Sequence, residues 1–246
     1  MAYLYEDRPI CVVIPTLNEE DSIGEIVKTF VQEKINVIVV DDTSSDLTCI
    51  NARINGAWVI NNKSRKGIAS SLWRGIKTAL DLDCFDYIAT MDAGNSHDPN
   101  QLFSMLELMN TNDLVIGSRF LPFSVYDNTE GKWYRPYASQ LAAKLCNLAQ
   151  HGSKFTDWTS GYRIYRSNLL QELSKYHYNA TMHPFQIEML ARANSLGASI
   201  TEYPITYIAG KSSFNKKVAS EAFKIWLEVL NHYPPRPKVI VKGDLW

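Results

Sequence analysis

Three short polar runs each follow an apolar stretch, and each brings carboxylates with it: Pro15-Thr16-Leu17-Asn18-Glu19-Glu20, Asp41-Asp42, and Asp92-Ala93-Gly94-Asn95-Ser96-His97-Asp98. Carboxylates gathered at one edge repel each other unless a cation sits among them, and a hard divalent ion carrying a diphosphate suits such oxygen donors. The chemistry they suggest is the handling of a metal-bound nucleotide. Taken singly the pieces say less. Asp and Asn are ordinary helix caps, and His97 alone reads as a surface histidine. Arg65 and Lys66 ahead of Gly67 read either as solvated loop charges or as a phosphate site at a helix start. No Gly-x-Gly-x-x-Gly follows the first apolar run, and no Gly-x-x-x-x-Gly-Lys-Ser/Thr occurs, which argues against a dinucleotide dehydrogenase and a P-loop enzyme.

The elements that must position these residues alternate between two periods. Apolar, β-branched runs at 10–14, 36–40, 57–60, 87–91 and 114–117 read as buried strands. Helical spacing fills the intervals at 22–31, 46–55, 68–80 and 101–109, with Ser22 and Glu25 offering a capping box for the first helix. This is the pattern of an α/β open, mostly parallel sheet with helices on both faces, whose ligands lie beyond the carboxyl ends of the strands. Residues 120–135 read as a long loop. Helices are expected at 137–150, 185–196 and 218–230, and a strand at 199–207 interrupted by Pro204. We expect one domain over 1–214 and a C-terminal amphipathic helix and tail over 215–246.

The chain has 246 residues, 46% of them hydrophobic, and a net charge of -1. A core of useful size follows, and no global basic field exists to hold nucleic acid. The four cysteines lack metal-ligand or disulfide spacing and read as reduced, structural thiols. No apolar run reaches the roughly 18 residues of a membrane span. The expected location is cytoplasmic, peripheral at the cytoplasmic membrane face. Lys132-Trp133-Tyr134-Arg135 with Tyr137 form a basic aromatic cluster that reads equally as a lipid-interface contact or as a packed loop.

The order and spacing of the whole set resemble family 2 glycosyltransferases. Val13-Ile14-Pro15-Thr16-Leu17-Asn18-Glu19-Glu20 and Val39-Val40-Asp41-Asp42 are similar to that family's opening motifs. Within it, the dolichol-phosphate (polyprenyl-phosphate) mannose synthases are resembled by Lys66-Gly67-Ile68-Ala69, Met91-Asp92-Ala93, Val115-Ile116-Gly117-Ser118-Arg119, Thr159-Ser160-Gly161-Tyr162-Arg163 and Glu202-Tyr203-Pro204-Ile205-Thr206-Tyr207. The resemblance implies a GT-A, Rossmann-like fold and an inverting transfer of a hexose from a nucleotide diphosphate sugar, of GDP-mannose or UDP-glucose type, to polyprenyl phosphate. It implies Mg²⁺ or Mn²⁺ as cofactor. Pro15, Asn18, Glu19, Asp41, Asp42, Lys66, Gly67, Asp92 and Ser118 would bind the nucleotide sugar, and Asp92 with His97 the metal. Arg119, Arg163 and Lys211 would meet the acceptor, and Asp92, Arg119, Arg163 and Glu188 would serve catalysis.

Two features depart from the family pattern. Gly94 stands where a second metal-binding acid is usual, and the loop 208–214 offers Lys211 and no arginine. A second reading keeps the donor and changes the acceptor to a hydroxyl on a glycan, protein or modified nucleobase. A hydroxyl needs a base, for which Glu188 is the candidate, its other reading being a structural acid. A third reading is a non-catalytic nucleotide-sugar binding protein, and a nucleotidyltransferase is a more distant one.

Overall fold

A computed structural model describes residues 9–129, 133–150, 153–210 and 216–232, the last of these as a helix whose side chains are described over 220–230. The first half alternates strictly: β1 (Ile10–Thr16), α1 (Ile23–Gln32), β2 (Asn36–Asp41), α2 (Thr48–Ile54), β3 (Trp58–Asn61), α3 (Ile68–Asp81), β4 (Tyr87–Thr90), α4 (Gln101–Leu108) and β5 (Leu114–Ser118). The five expected strands and four expected helices are all present within two residues of their expected ends. The second half holds β6 (Val125–Asp127), α5 (Arg135–Ala149), β7 (Arg163–Arg166), α6 (Ser167–Leu173), α7 (Phe185–Ser195), β8 (Ile200–Pro204), β9 (Thr206–Ile208) and α8 (Lys216–His232). The expected long loop at 120–135 therefore contains a short strand. Two further elements, β7 and α6, were also not expected.

The main sheet runs in the order β3-β2-β1-β4-β7-β5-β8, and β6 pairs with β9 in a small ribbon. All main-sheet pairings are parallel except those of β7, which lies antiparallel between β4 and β5. β1 is buried along its whole length, as a strand covered on both faces must be. Alternate residues feed two cores. Val13, Ile38 and Val40 pack with α3, α6, α7 and α8 on one face. Val12, Ile14 and Val39 pack with α1 and α4 on the other. The approach of α3 is close enough that a Cβ on Gly75 would lie 2.3 Å from Val13 Cγ1, so only glycine lets this helix sit directly on β1. Pro204 ends β8 at the sheet edge, where its missing N–H costs no ladder bond.

The capping box does not form. Ser22 makes no side-chain cap for α1; its hydroxyl donates instead to the carbonyl of Ala93 at 2.8 Å. The turn after β1 is thereby tied to the segment after β4. All four cysteines are free, and burial pushes Cys11 and Cys146 up to about 12. The domain boundary expected after residue 214 falls within 211–215, outside the described residues. Among the described residues no helix is long and apolar enough to cross a membrane.

Candidate active site

The three carboxylate runs meet beyond the carboxyl ends of β1, β2 and β4, where an open α/β sheet places its ligands. Thr16 and Asp41 are register partners at the ends of β1 and β2, both buried. Asp41 Oδ2 accepts the N–H groups of Thr43 and Ser44, while Asp41 Oδ1 and Thr16 Oγ1 are buried without a hydrogen-bond partner. A buried oxygen left unpaired costs about 1–3 kcal/mol, which a ligand bringing N–H or O–H donors would recover. Thr16 was not singled out as a site residue from the sequence; only its place in the register beside Asp41 reveals it.

Several expected donor-side residues hold the scaffold. Asn18, at φ 56°, accepts the Ser45 N–H on Oδ1 and donates its own N–H to Ser44, pinning the turn after β1 to the loop after β2. Asp42 accepts the N–H groups of Lys66 and Gly67 and the amide of Asn62. Burial raises its carboxyl, and these bonds lower it further, so that it ends below its ordinary value. The loop 62–67 is therefore held by Asp42, with the Lys66 side chain exposed to solvent. Ser118 is a correction: it is fully buried and its hydroxyl shares a hydrogen with Thr156 Oγ1 at 2.6 Å, so it does not reach the sugar.

Asp92 sits at the centre. Together with Pro15, Thr159, Gly161 and His183 it lines a small cavity above β1, and it also lines the head of a cleft of about 580 Å³. His97 Nδ1 lies 4.0 Å from Asp92 Oδ2; the imidazole is 1% exposed and caged by the rings of Tyr162 and Tyr207. Neither ring nitrogen has a hydrogen-bond partner. Burial lowers the His97 pKa, so it is neutral at pH 7 and can donate a lone pair. A half-exposed carboxylate beside an unpartnered neutral imidazole fits a divalent ion whose remaining ligands come from a diphosphate and water. It does not fit a closed protein cage, since among the described residues no three His, Cys, Asp or Glu side chains come together.

Arg119 is the second pole. Its Nε and Nη2 donate to the two oxygens of Asp157 at 2.6 and 2.7 Å, Nη2 also reaches Thr159 Oγ1, and the guanidinium lies over the rings of Phe120 and Tyr207. Burial opposes its charge and Asp157 more than restores it. Asp157 is in turn raised by burial and lowered further by Arg119, ending below its ordinary value. The backbone of 156–157 is held by the Glu202 carboxylate, which accepts both N–H groups. Arg119 lines the 580 Å³ cleft and a neighbouring cavity of about 560 Å³ that also borders Trp133 and Tyr137.

Two further expectations are corrected. Arg163 is fully buried and donates to the carbonyls of Trp158, Ser160 and Gln186, so it fixes the 158–161 loop under Asp92 and does not meet an acceptor. Glu188 is fully buried, and its carboxylate accepts the N–H groups of Asn179 and Ala180; it anchors the loop before α7 and cannot take a proton in the cleft. Lys211 lies outside the described residues.

Gly161 joins the site residues. An ideal Cβ there would stand 3.1 Å from Asp92 Oδ1. Gly161→Ala is expected to displace the Asp92 carboxylate by a few tenths of an ångström, lowering turnover about tenfold while shifting Tm by no more than a few degrees. Steady-state kinetics beside a melting curve checks this, and unchanged kcat would mean that the position of Asp92 is not critical.

The walls of the cleft are apolar. Leu141, Leu145 and Cys146 of α5 face Phe223 and Trp226 of α8, and the Trp226 indole N–H donates to the Leu145 carbonyl at 3.1 Å. The sequence pattern of Glycosyl transferase family 2 matches residues 11–174. An undecaprenyl-phosphate mannosyltransferase from Micrococcus luteus is 32% identical over 228 residues, 87% of this chain and 90% of that protein. A polyprenol monophosphomannose synthase from Mycolicibacterium smegmatis is 28% identical over 221 residues, 85% of this chain and 81% of that one. Among solved structures, a glucosyl-3-phosphoglycerate synthase from Mycobacterium tuberculosis, crystallised with Mn²⁺, uridine diphosphate and glucosyl-3-phosphoglycerate, superposes with a TM-score of 0.68. It is 20% identical, and the match covers 93% of this chain and 82% of that one. The fold is of the GT-A type, and the chain belongs to glycosyl transferase family 2 as a glycosyltransferase.

Proposed function

We propose that the protein transfers a hexose from a nucleotide diphosphate sugar, of GDP-mannose or UDP-glucose type, to polyprenyl phosphate, with inversion at the anomeric carbon. The observation that carries this reading is the cleft itself: Asp92, His97 and Arg119 stand at its head, and its walls are the apolar sides of α5 and α8. A phosphate at the head and an isoprenoid chain along the walls match both ends. The two polyprenyl-phosphate relatives support the same acceptor. In this reading α8, within the C-terminal unit 215–246, completes the acceptor channel of the catalytic domain 1–214.

The reaction is a single displacement. An anionic oxygen of the acceptor phosphate attacks the anomeric carbon as the bond to the nucleoside diphosphate breaks, and the electron pair leaves on the diphosphate. No proton has to be removed. Arg119, pre-set by Asp157, offers fixed donors to the acceptor phosphate. Thr16 and Asp41 hold the nucleoside, and Pro15 lines the small cavity that Asp92 also lines. Asp92 and His97 would hold a Mg²⁺ or Mn²⁺ ion, which when bound neutralises charge growing on the departing diphosphate. A hydroxyl acceptor would need a base. With Glu188 anchored elsewhere, Asp92 is the one carboxylate among the described residues lining the cleft, and it serves the donor.

The cleft opens onto an apolar ridge. Tyr137, Leu141, Leu145 and Leu148 recur along α5 and are exposed, with Phe223, Leu227 and Leu230 beside them on α8. Trp133 is 76% exposed and Phe123 95%. Such a surface suits peripheral contact with a bilayer, from which a polyprenyl chain would enter.

The test is nucleotide release from a panel of UDP, GDP and dTDP sugars with Mg²⁺ or Mn²⁺, with and without a short polyprenyl phosphate. Lipid-stimulated release with one preferred donor, and an extractable lipid-linked sugar, is the expected result. Release indifferent to the lipid moves the acceptor to a hydroxyl compound, and no release or donor binding leaves the protein without a catalytic role.

A further inference from the structure

Gly94 stands where the family pattern has a second metal-binding acid, and the turn after β1 borders that place. An ideal Cβ on Gly94 lies 3.5 Å from Glu19 Oε2 and 3.9 Å from Oε1. A carboxylate carried on that Cβ would project into the space that the Glu19 carboxylate borders. The juxtaposition is built. Ser22 Oγ donates to the Ala93 carbonyl at 2.8 Å, and the Glu19 N–H donates to Thr48 Oγ1 at 2.7 Å, so the turn carrying Glu19 is tied to the 92–94 segment on one side and to the start of α2 on the other. The buried imidazole of His97, whose Nδ1 lies 4.0 Å from Asp92 Oδ2, has no partner on either nitrogen and is free to join Asp92 on an ion. We propose that Glu19 supplies the second carboxylate of the divalent-cation site, entering from the turn after β1 in place of the acid missing at position 94.

This rests on the metal-assisted reading above. It differs from that reading in assigning the second carboxylate to a residue distant in sequence, brought in when a cation and a diphosphate draw the Glu19 and Asp92 side chains together. Mg²⁺ and Mn²⁺ commonly take one or two protein carboxylates and complete their shells with phosphate and water, so Asp92 with Glu19 suffices.

The experiment is a Mn²⁺ titration of the full chain, read by the EPR signal of free Mn²⁺, with UDP or GDP present. Glu19→Gln is expected to weaken Mn²⁺ binding at least tenfold. Glu19→Gln combined with Gly94→Asp is expected to regain Mn²⁺ affinity to within about threefold of the parent. Gly94→Asp alone keeps the test open if Glu19→Gln folds poorly: it sets two carboxylates against each other, so Mn²⁺ should raise its Tm more than that of the parent. Unchanged Mn²⁺ affinity in Glu19→Gln, no rescue by Gly94→Asp, or equal Mn²⁺-induced Tm shifts would overturn the assignment while leaving the metal-assisted reading in place. A parent chain that binds no Mn²⁺ with either nucleotide would overturn both.

Discussion

Asp92→Asn is expected to lower kcat by about 10²–10³-fold and to abolish the response of turnover to Mg²⁺ or Mn²⁺, with the fold intact. The side chain of Asp92 is 39% exposed, and its one described polar contact is the long approach to His97. Removing its charge therefore breaks no structural bond. The amide keeps shape and volume, so packing against Gly161 is preserved, and Tm should move by no more than a degree or two. The loss belongs to the departing diphosphate, whose negative charge grows in the transition state and is met less well without the Asp92 carboxylate and its cation. Single-turnover measurement of nucleotide release at saturating donor, repeated over a Mn²⁺ series, checks the result. Unchanged turnover with an unchanged metal response would move the reaction centre away from β4.

Much of the donor half was legible in the sequence because parallel strands advertise themselves. Residues 10–14, 36–40 and 87–91 are apolar runs that stop at polar residues, and the physics of a covered sheet puts those stops at the ligand edge. Asp92 and Arg119 were legible for the same reason. Strand β7 was not. Its four residues, Arg163 to Arg166, begin and end with arginine, and nothing in residue type announces that the first is buried in a sheet. Arg163 and Glu188 show the general difficulty: a charged residue aimed at backbone groups and one aimed at a ligand look identical in one dimension. Arg163 spends its donors on three carbonyls, and Glu188 its oxygens on two amides. Ser118, Asn18 and Asp42 likewise each bond to a segment 24 or more residues away, which residue type alone does not announce. Conversely, Thr16 had no role of its own within the first motif, and only the register against Asp41 and its orphaned hydroxyl mark it.

The Arg119–Asp157 pair makes the other large prediction, because its partners are buried and each is the other's counter-ion. Arg119→Met keeps an apolar stem over Phe120 and Tyr207 but strands the Asp157 carboxylate, a loss of about 3–5 kcal/mol when one member of a buried pair is removed. For a chain of this length, that is a fall in Tm on the order of 10 °C at neutral pH. The pH dependence then distinguishes a lost ion pair from lost packing. In the parent, Asp157 lies below its ordinary value, so its contribution is complete above the unfolded carboxylate value of about 4 and disappears as pH falls through the depressed folded value. In Arg119→Met the pull of the guanidinium is gone while burial still pushes the carboxyl up, so acid should protonate Asp157 in the folded state and relieve the penalty. The Tm gap between the two proteins is expected to narrow as pH drops from 7 toward 4. A gap constant with pH would assign the loss to packing alone. Arg119→Lys adds the functional half: it restores a charge near Asp157 but not the forked geometry, so stability should recover in part while the KM for polyprenyl phosphate stays at least tenfold raised. If Arg119→Lys regains the parent KM, the guanidinium serves Asp157 only, and the acceptor phosphate is held by other groups.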